Sequence, residues 1–220
     1  STRVRSSAAS DVYKRQYCDR LRFFQECMYL LLCGCGTGFS VQKHHIAKLP
    51  SFVSSSKKSI KKFVIEDSIE GWSDSIGVLI SSYFDQDELF PEYTGKNVKF
   101  DFSKIRPAGS YLSSSSGKAP GPEPLKKALS NIRKILEKAL TNADFASKDL
   151  RRLSPIEAYD IIMHSADAVI SGGVRRSATI CLFSPEDGEM AKAKTGNWFR
   201  ENPQRGRSNN SALLLRNKTS

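Results

Sequence analysis

Apolar side chains recur at helical spacing in four stretches of the chain. The first stretch runs from Asp19 to Leu32, and the spacing of Leu21, Phe24, Met28 and Leu31 predicts an amphipathic helix. Three further helices are predicted, with apolar positions at Ile69, Trp72, Ile76, Leu79, Ile80 and Tyr83; at Leu125, Leu129, Ile132, Leu136 and Leu140; and at Ile161, Ile162, Ser165, Val169 and Ile170.

Local signals mark where these helices begin and end. Asp67 or Ser68 can cap the second helix, and the third begins within Pro122 to Pro124. The fourth helix begins with the capping box Ser154-Pro155-Ile156-Glu157 and is stopped by Gly172.

Short apolar runs between the helices predict strands. They lie at Phe39–Val41, Ile60–Ile65, Val98–Phe102 and Thr179–Phe183, with a last strand running from Ala212 to Leu215. The polar stretches 42–62 and 85–96 read as loops, and 185–207 as part helix and part loop. Helices that alternate with short strands indicate an α/β layer or barrel.

Charge narrows the choice of partner. The 220 residues carry 34 basic and 23 acidic side chains, a net charge of +11 that suggests an anionic partner. The basic residues are scattered in pairs such as Lys57-Lys58 and Arg151-Arg152, without interleaved aromatics. A nucleic-acid polymer is therefore not expected, whereas nucleotide phosphates need only a few of these charges. No apolar run approaches 18 residues, so no membrane span is predicted.

The five cysteines form no disulfide framework. They are odd in number, and without a secretory signal the expectation is reduced thiols in the cytoplasm. Cys33 and Cys35 with His44 and His45 invite a zinc interpretation, but the cysteine spacing and the lack of a second cysteine pair argue against it.

Residues 1–16 differ from the rest of the chain. They are rich in Ser, Arg and Ala without an apolar period, and we interpret them as a non-native or disordered leader. The native-looking sequence begins near Tyr17, and the abrupt start and plain finish suggest a fragment of a longer protein.

Two chemically suggestive loops remain. Gly172-Gly173 can bring backbone amides close to a ligand, and the planar forks of Arg175 and Arg176 suit a phosphate or a base edge. An ordinary helix-to-strand loop with solvated arginines has the same pattern. Residues 104–124 contain four prolines, four consecutive serines and three glycines, which predicts a long loop.

Four ordered blocks carry a family resemblance. They are LLLCGCGTGFSVQ at 30–42, FDFSKIRPAGSYLSSSSGKAPGPEPL at 100–125, LSPIEAYDIIMHSADAVISGG at 153–173, and SGGVRRSATICLFSPEDGEM at 171–190 followed by Arg207 to Ser211. Together they resemble ribonucleotide reductase large chains, especially the adenosylcobalamin-dependent (class II) ribonucleoside-triphosphate reductases, over about residues 20–220. The resemblance implies a partial ten-stranded α/β barrel over 17–220, with a family insertion at 43–97.

The resemblance also implies ligands and a site. The ligands are adenosylcobalamin, a nucleoside triphosphate substrate, a deoxynucleoside triphosphate effector and a thioredoxin-like dithiol reductant. The first specificity loop would hold the effector through Lys104, Arg106, Ser110, Ser113, Ser114, Ser115, Ser116, Gly117 and Lys118. Cations for phosphates and adaptable hydroxyl donors suit that role, although a flexible linker has the same composition.

The second specificity loop would lie between effector and substrate base. It corresponds to 171–177, with Gly172, Gly173, Val174, Arg175, Arg176 and Ser177 as the candidate residues. Ser208, Asn209 and Asn210 match the block after the loop, where they would either hydrogen-bond sugar hydroxyls or brace a barrel strand.

The catalytic cysteines of the family are expected outside the chain. None of Cys18, Cys27, Cys33, Cys35 and Cys181 falls on the family's radical or redox positions, and the radical cysteine belongs to an Asn-Pro-Cys-type segment expected beyond residue 220. Two alternatives stay open: a non-catalytic nucleotide-binding regulatory module, and a class I large chain.

Overall fold

The four predicted helices are present. A computed structural model describes residues 17–53, 59–112, 117–143, 152–171 and 179–214. The long helices are α1 (Arg22–Leu32), α3 (Ile69–Ser81), α4 (Glu123–Thr141) and α5 (Pro155–Ser171), and the short ones are α2 (Lys43–Ile46), α6 (Gly188–Ala191) and α7 (Trp198–Glu201). Single 3-10 turns lie at Pro91–Tyr93 and Pro203–Arg207.

The predicted helix caps form as expected. The Ser68 hydroxyl accepts a hydrogen bond from the Gly71 amide at 3.0 Å at the start of α3. At α5 the box is reciprocal: the Ser154 amide donates to Glu157 Oε1 at 3.0 Å, and the Glu157 amide donates to Ser154 Oγ at 3.3 Å. Each cap satisfies amides that the first helical turn leaves without a partner.

The strands form two parallel sheets. In the first, β1 (Thr37–Ser40), β4 (Thr179–Phe183) and β5 (Ser208–Ala212) lie in the order β1-β4-β5. In the second, β2 (Ile60–Val64) pairs with β3 (Asn97–Asp101). Parallel strands joined by helices confirm the α/β class. The described residues form an open three-stranded sheet rather than a closed ten-stranded barrel.

Two sequence predictions of local structure are wrong. The last strand occupies Ser208–Ala212 rather than beginning at Ala212, because its ladder with β4 is made by backbone groups and needs no apolar side chains. Within the predicted 42–62 loop, α2 forms and buries His45 and Ile46.

The core is organised around α1. Phe24, Met28 and Leu31 are at most 1% exposed, and α1 packs against α3 on one side and α5 on another. A Cβ atom built on Gly77 of α3 would lie 2.9 Å from Phe90 Cε2, so a glycine at this position makes room for the Phe90 ring. No helix in the described ranges is long and apolar enough to cross a bilayer.

Replacing Gly71 with alanine tests the cap of α3. The new Cβ would clash with the backbone carbonyl of Glu66, so we expect Gly71→Ala to lower the free energy of unfolding by about 1–3 kcal/mol in urea titration. Gly188→Ala is the matched control, because nothing lies within 4 Å of its new Cβ and its stability should change by only about 0.5 kcal/mol. Equal effects at the two glycines would contradict this account of the cap.

Candidate functional site

The predicted loop after β3 is organised as a short hairpin. The Gly109 amide donates to the Ala119 carbonyl at 2.9 Å, and the Ala119 amide donates to the Ser110 carbonyl at 2.7 Å. Gly109 and Gly121 have positive φ values of 87° and 73°, which glycine adopts without strain. Gly121 closes the base of the hairpin, since a Cβ there would lie 2.8 Å from the Ala108 nitrogen.

The candidate effector residues occupy different parts of this hairpin. The Ser110 hydroxyl donates to the Pro107 carbonyl at 2.8 Å, so it stabilises the turn. Lys118 is exposed, and its backbone forms an antiparallel β-bridge with that of Tyr111 across the hairpin. Gly117, the residue before it, is half-buried. Ser113, Ser114, Ser115 and Ser116 lie outside the described residues.

Lys104 and Arg106 meet acidic partners that the sequence analysis did not identify. Lys104 Nζ lies 2.5 Å from Glu66 Oε1, in an exposed pair. Asp67 Oδ2 accepts from Arg106 Nε at 2.5 Å and from the Arg106 amide at 3.3 Å. Within the described part of the chain, the terminal guanidinium nitrogens of Arg106 have no hydrogen-bond partner, so they are open to a ligand.

Helices α4 and α5 pack against each other. Lys127, near the start of α4, acts electrostatically on His164 in the second half of α5, and it adds to the burial that lowers the pKa of His164. Arg152, just before α5, donates to the Leu49 carbonyl at 2.9 Å. Four residues after Leu49, the Val53 amide donates to the Tyr83 carbonyl. The Tyr83 hydroxyl in turn donates to Glu137, near the end of α4.

Residue Thr179, at the start of β4, is tied to α5. Its hydroxyl donates to the Arg207 carbonyl at 2.5 Å, and Arg207 Nε lies 2.9 Å from Asp167 Oδ1, one turn before Ser171. Ser171 and Thr179 are the described residues that flank the predicted second loop. Gly172, Gly173, Val174, Arg175, Arg176 and Ser177 themselves lie outside the described residues.

Ser208 and Asn210 brace strand β5 from the helix side of the sheet. The Ser208 hydroxyl lies 2.8 Å from the Tyr159 hydroxyl and donates to Asn210 Oδ1 at 2.7 Å. Burial raises the pKa of Tyr159, although the hydrogen bonds to Ser208 and Asn210 oppose that rise. Lys194 Nζ donates to the Ser208 carbonyl, and burial lowers the pKa of Lys194. These contacts favour the bracing interpretation for both residues.

Asn209 lies on the other face of the same strand. The register places Gly38, Ile180 and Asn209 side by side, and alternate residues of a strand face opposite sides. Ile180 is 49% exposed and Asn209 is exposed, so this face is open. An amide on an open sheet face can donate to and accept from a ligand hydroxyl.

Two ion pairs missed by the sequence analysis hold the approach to β5. Arg205 pairs with Asp160 through Nε to Oδ1 at 2.8 Å and through a terminal nitrogen to Oδ2 at 2.7 Å. This bidentate contact raises the pKa of Arg205. Asp160 and Asp167 are seven residues apart on α5, a spacing of two helical turns that could have shown they share a face.

The cysteines differ in their exposure to solvent. All five are free thiols, and Cys18, Cys27 and Cys181 are at most 2% exposed. Burial raises the pKa of Cys27 to about 12, which keeps the thiol protonated and unreactive. Across the described ranges, no three His, Cys, Asp or Glu side chains are arranged to hold a metal ion.

Comparison with known proteins finds similarity to one family of enzymes. The family model of the B12-dependent ribonucleotide reductase insertion domain matches residues 44–136. A Mycobacterium phage D29 protein assigned as an adenosylcobalamin-dependent ribonucleoside-triphosphate reductase is 33% identical over 60% of this chain and 18% of its own length. The Lactobacillus delbrueckii subsp. bulgaricus adenosylcobalamin-dependent ribonucleoside-triphosphate reductase is 29% identical over 74% of this chain and 24% of its own length.

A solved structure shows the same fold. The crystal structure of a B12-dependent (class II) ribonucleotide reductase superposes with a TM-score of 0.72 and 24% identity, over 88% of this chain and 29% of that one. The chain is therefore similar in sequence and in fold to B12-dependent ribonucleotide reductases, the resemblance that its four sequence blocks predicted. It spans about a fifth to a quarter of the length of the curated relatives it matches.

The Arg205–Asp160 pair can be tested by removing its charge. Both side chains are nearly buried, at 14% and 13% exposure, so Asp160→Asn leaves a guanidinium without its carboxylate. We expect the free energy of unfolding to fall by about 2–3 kcal/mol in urea titration.

The matched control is Glu123→Gln, which breaks the exposed pair with Lys126. Its cost should stay below about 0.5 kcal/mol, because exposed pairs contribute little. A cost for Asp160→Asn no larger than that of the control would show that the pair does not brace β5.

Proposed function

We propose that this chain is the part of an adenosylcobalamin-dependent ribonucleoside-triphosphate reductase that binds a deoxynucleoside triphosphate effector and transmits its identity to the substrate site. The observation that carries the proposal is the hairpin that leads into α4, because it presents Arg106 with its Nε held by Asp67. Helix α4 packs against α5, and Ser171 at the end of α5 and Thr179 at the start of β4 flank 172–178.

Charge at the hairpin supports an anionic ligand. The terminal nitrogens of Arg106 and the ammonium groups of Lys104 and Lys118 are all on this hairpin, which suits a triphosphate. Asp67 orients Arg106 through two hydrogen bonds, so the guanidinium is held in place before a ligand arrives. A preorganised cation loses less conformational entropy on binding than a free one.

The open face of the three-stranded sheet suits the substrate. We place Asn209 there, beside Ile180 and Gly38, where its amide would meet a sugar hydroxyl. Ser208 and Asn210 hold the strand from behind. Arg175 and Arg176 would contact the effector or the substrate base, so that a change of effector alters the preferred substrate and the reverse.

The described residues do not form the cofactor site. When bound, adenosylcobalamin supplies the radical that oxidises an active-site thiol in such a reductase. The most buried thiols here, Cys18, Cys27 and Cys181, face the core instead of the open sheet face. The cofactor, the radical cysteine and the cysteines re-reduced by a thioredoxin-like dithiol are therefore assigned to other parts of the reductase.

Effector binding is tested by calorimetry on the chain with each of the four deoxynucleoside triphosphates. We expect at least one to bind, and Arg106→Ala to weaken that binding by about tenfold or more, because a charge-assisted hydrogen bond to phosphate is lost. Lys134→Ala removes an equal charge from the exposed face of α4 and should leave the affinity unchanged. Equal losses for both variants, or no binding at all, would overturn the effector site.

The reading frame around the chain tests the enzyme itself. We expect a downstream Asn-Pro-Cys-type segment and cobalamin-dependent reduction of nucleoside triphosphates by the full-length protein. A frame that lacks such a segment would instead support a regulatory module without catalysis.

A further inference from the structure

A second cleft lies away from the hairpin, between α1 and α3. Its volume is about 440 Å³, within the range of small-molecule sites. Phe23, Cys27 and Ser73 form a buried floor, while the exposed side chains of Tyr29 and Glu70 lie at its rim. Among the described residues, neither those of the 104–124 loop nor those of the open sheet face line this cleft.

Two buried oxygens in the cleft lack partners. Gln25 Oε1 and Thr37 Oγ1 are shielded from solvent and have no hydrogen-bond partner among the described residues, and both side chains line the cleft. Gln25 Nε2 donates to Asp74 Oδ1 at 2.5 Å, which fixes the amide so that Oε1 is an acceptor. A buried polar atom left unpaired costs about 1–3 kcal/mol, so each oxygen favours an occupant that donates to it.

The charges around the cleft select the sign of that occupant. Asp74 and Glu70 supply two carboxylates against the guanidinium of Arg22, while the Glu26 carboxylate is paired with Arg20 at 2.7 Å. Burial is the main cause that raises the pKa of Asp74, and the nearby charge of Glu70 adds to it. A positive charge placed beside Asp74 would relieve both effects, whereas a nucleotide triphosphate would be repelled.

We propose that the α1–α3 cleft binds a small organic cation with a flat apolar body and several N–H donors, of the aryl amidine class. The ring lies against Phe23 and Cys27, and the donors reach Gln25 Oε1, Thr37 Oγ1 and the Asp74 carboxylate.

Benzamidine is the probe for this site, and benzoate is its matched control with the same ring and the opposite charge. We expect benzamidine to bind the chain saturably in calorimetry and to shift the amide resonances of Gln25 and Thr37 in NMR spectra. Benzoate should do neither. Absence of saturable benzamidine binding, or equal binding of the two probes, overturns the site and leaves a cleft filled by water only.

Two variants separate ligand contacts from folding. Asp74→Asn should weaken benzamidine binding about tenfold or more, while Glu123→Gln, an exposed carboxylate outside the cleft, should not change it. Thr37→Val keeps the shape of the side chain and removes only the unpartnered hydroxyl. It should weaken binding severalfold without lowering the melting temperature of the unliganded chain.

If Asp74→Asn fails to fold, Thr37→Val still decides the question. Unchanged benzamidine affinity in Thr37→Val, or a lowered melting temperature without ligand, would show that the hydroxyl has a structural role instead. Deoxynucleoside triphosphates should not displace benzamidine, since the hairpin and the cleft are separate sites. Failure of effector binding at Arg106 therefore leaves this test unaffected.

Discussion

The burial of α1 is the constraint on which the rest of the structure depends. Phe24, Met28 and Leu31 lose nearly all contact with water, because α3, α5 and β1 each cover part of the helix. The family insertion matched at 44–136 includes all of α3 and most of α4. Buried residues of this matched segment and of the three-stranded sheet therefore belong to one continuous hydrophobic core.

The polar strand β5 shows how the fold places chemistry on a rigid element. Its sequence has too few apolar residues to be held by burial alone, so backbone pairing with β4 and hydrogen bonds from Tyr159 and Lys194 hold it instead. The Arg205–Asp160 pair fixes the turn that leads into the strand. Because side chains alternate, bracing Ser208 and Asn210 on one face leaves Asn209 on the open face.

Positive and negative side chains are concentrated in different parts of this protein, which its net charge alone does not reveal. The +11 chain carries paired cations on the hairpin and a carboxylate-rich cleft between α1 and α3. Glu66 pairs with Lys104, and Asp67 pairs with Arg106 through Nε. Among the described residues, the terminal guanidinium nitrogens of Arg106 have no hydrogen-bond partner. The two proposed sites therefore lie in local fields of opposite sign, which suits ligands of opposite charge.

The sequence by itself determined the four long helices, their caps and most of the strands, because apolar periodicity and capping chemistry act over a few neighbouring residues. Its four blocks also determined the family. Only the tertiary structure decided that β5 begins at Ser208, that Arg106 meets Asp67, and that Gln25 and Thr37 face one cleft. Those contacts join residues far apart in the chain. Backbone pairing or helix packing brings these residues together, and neither leaves a pattern in the local sequence.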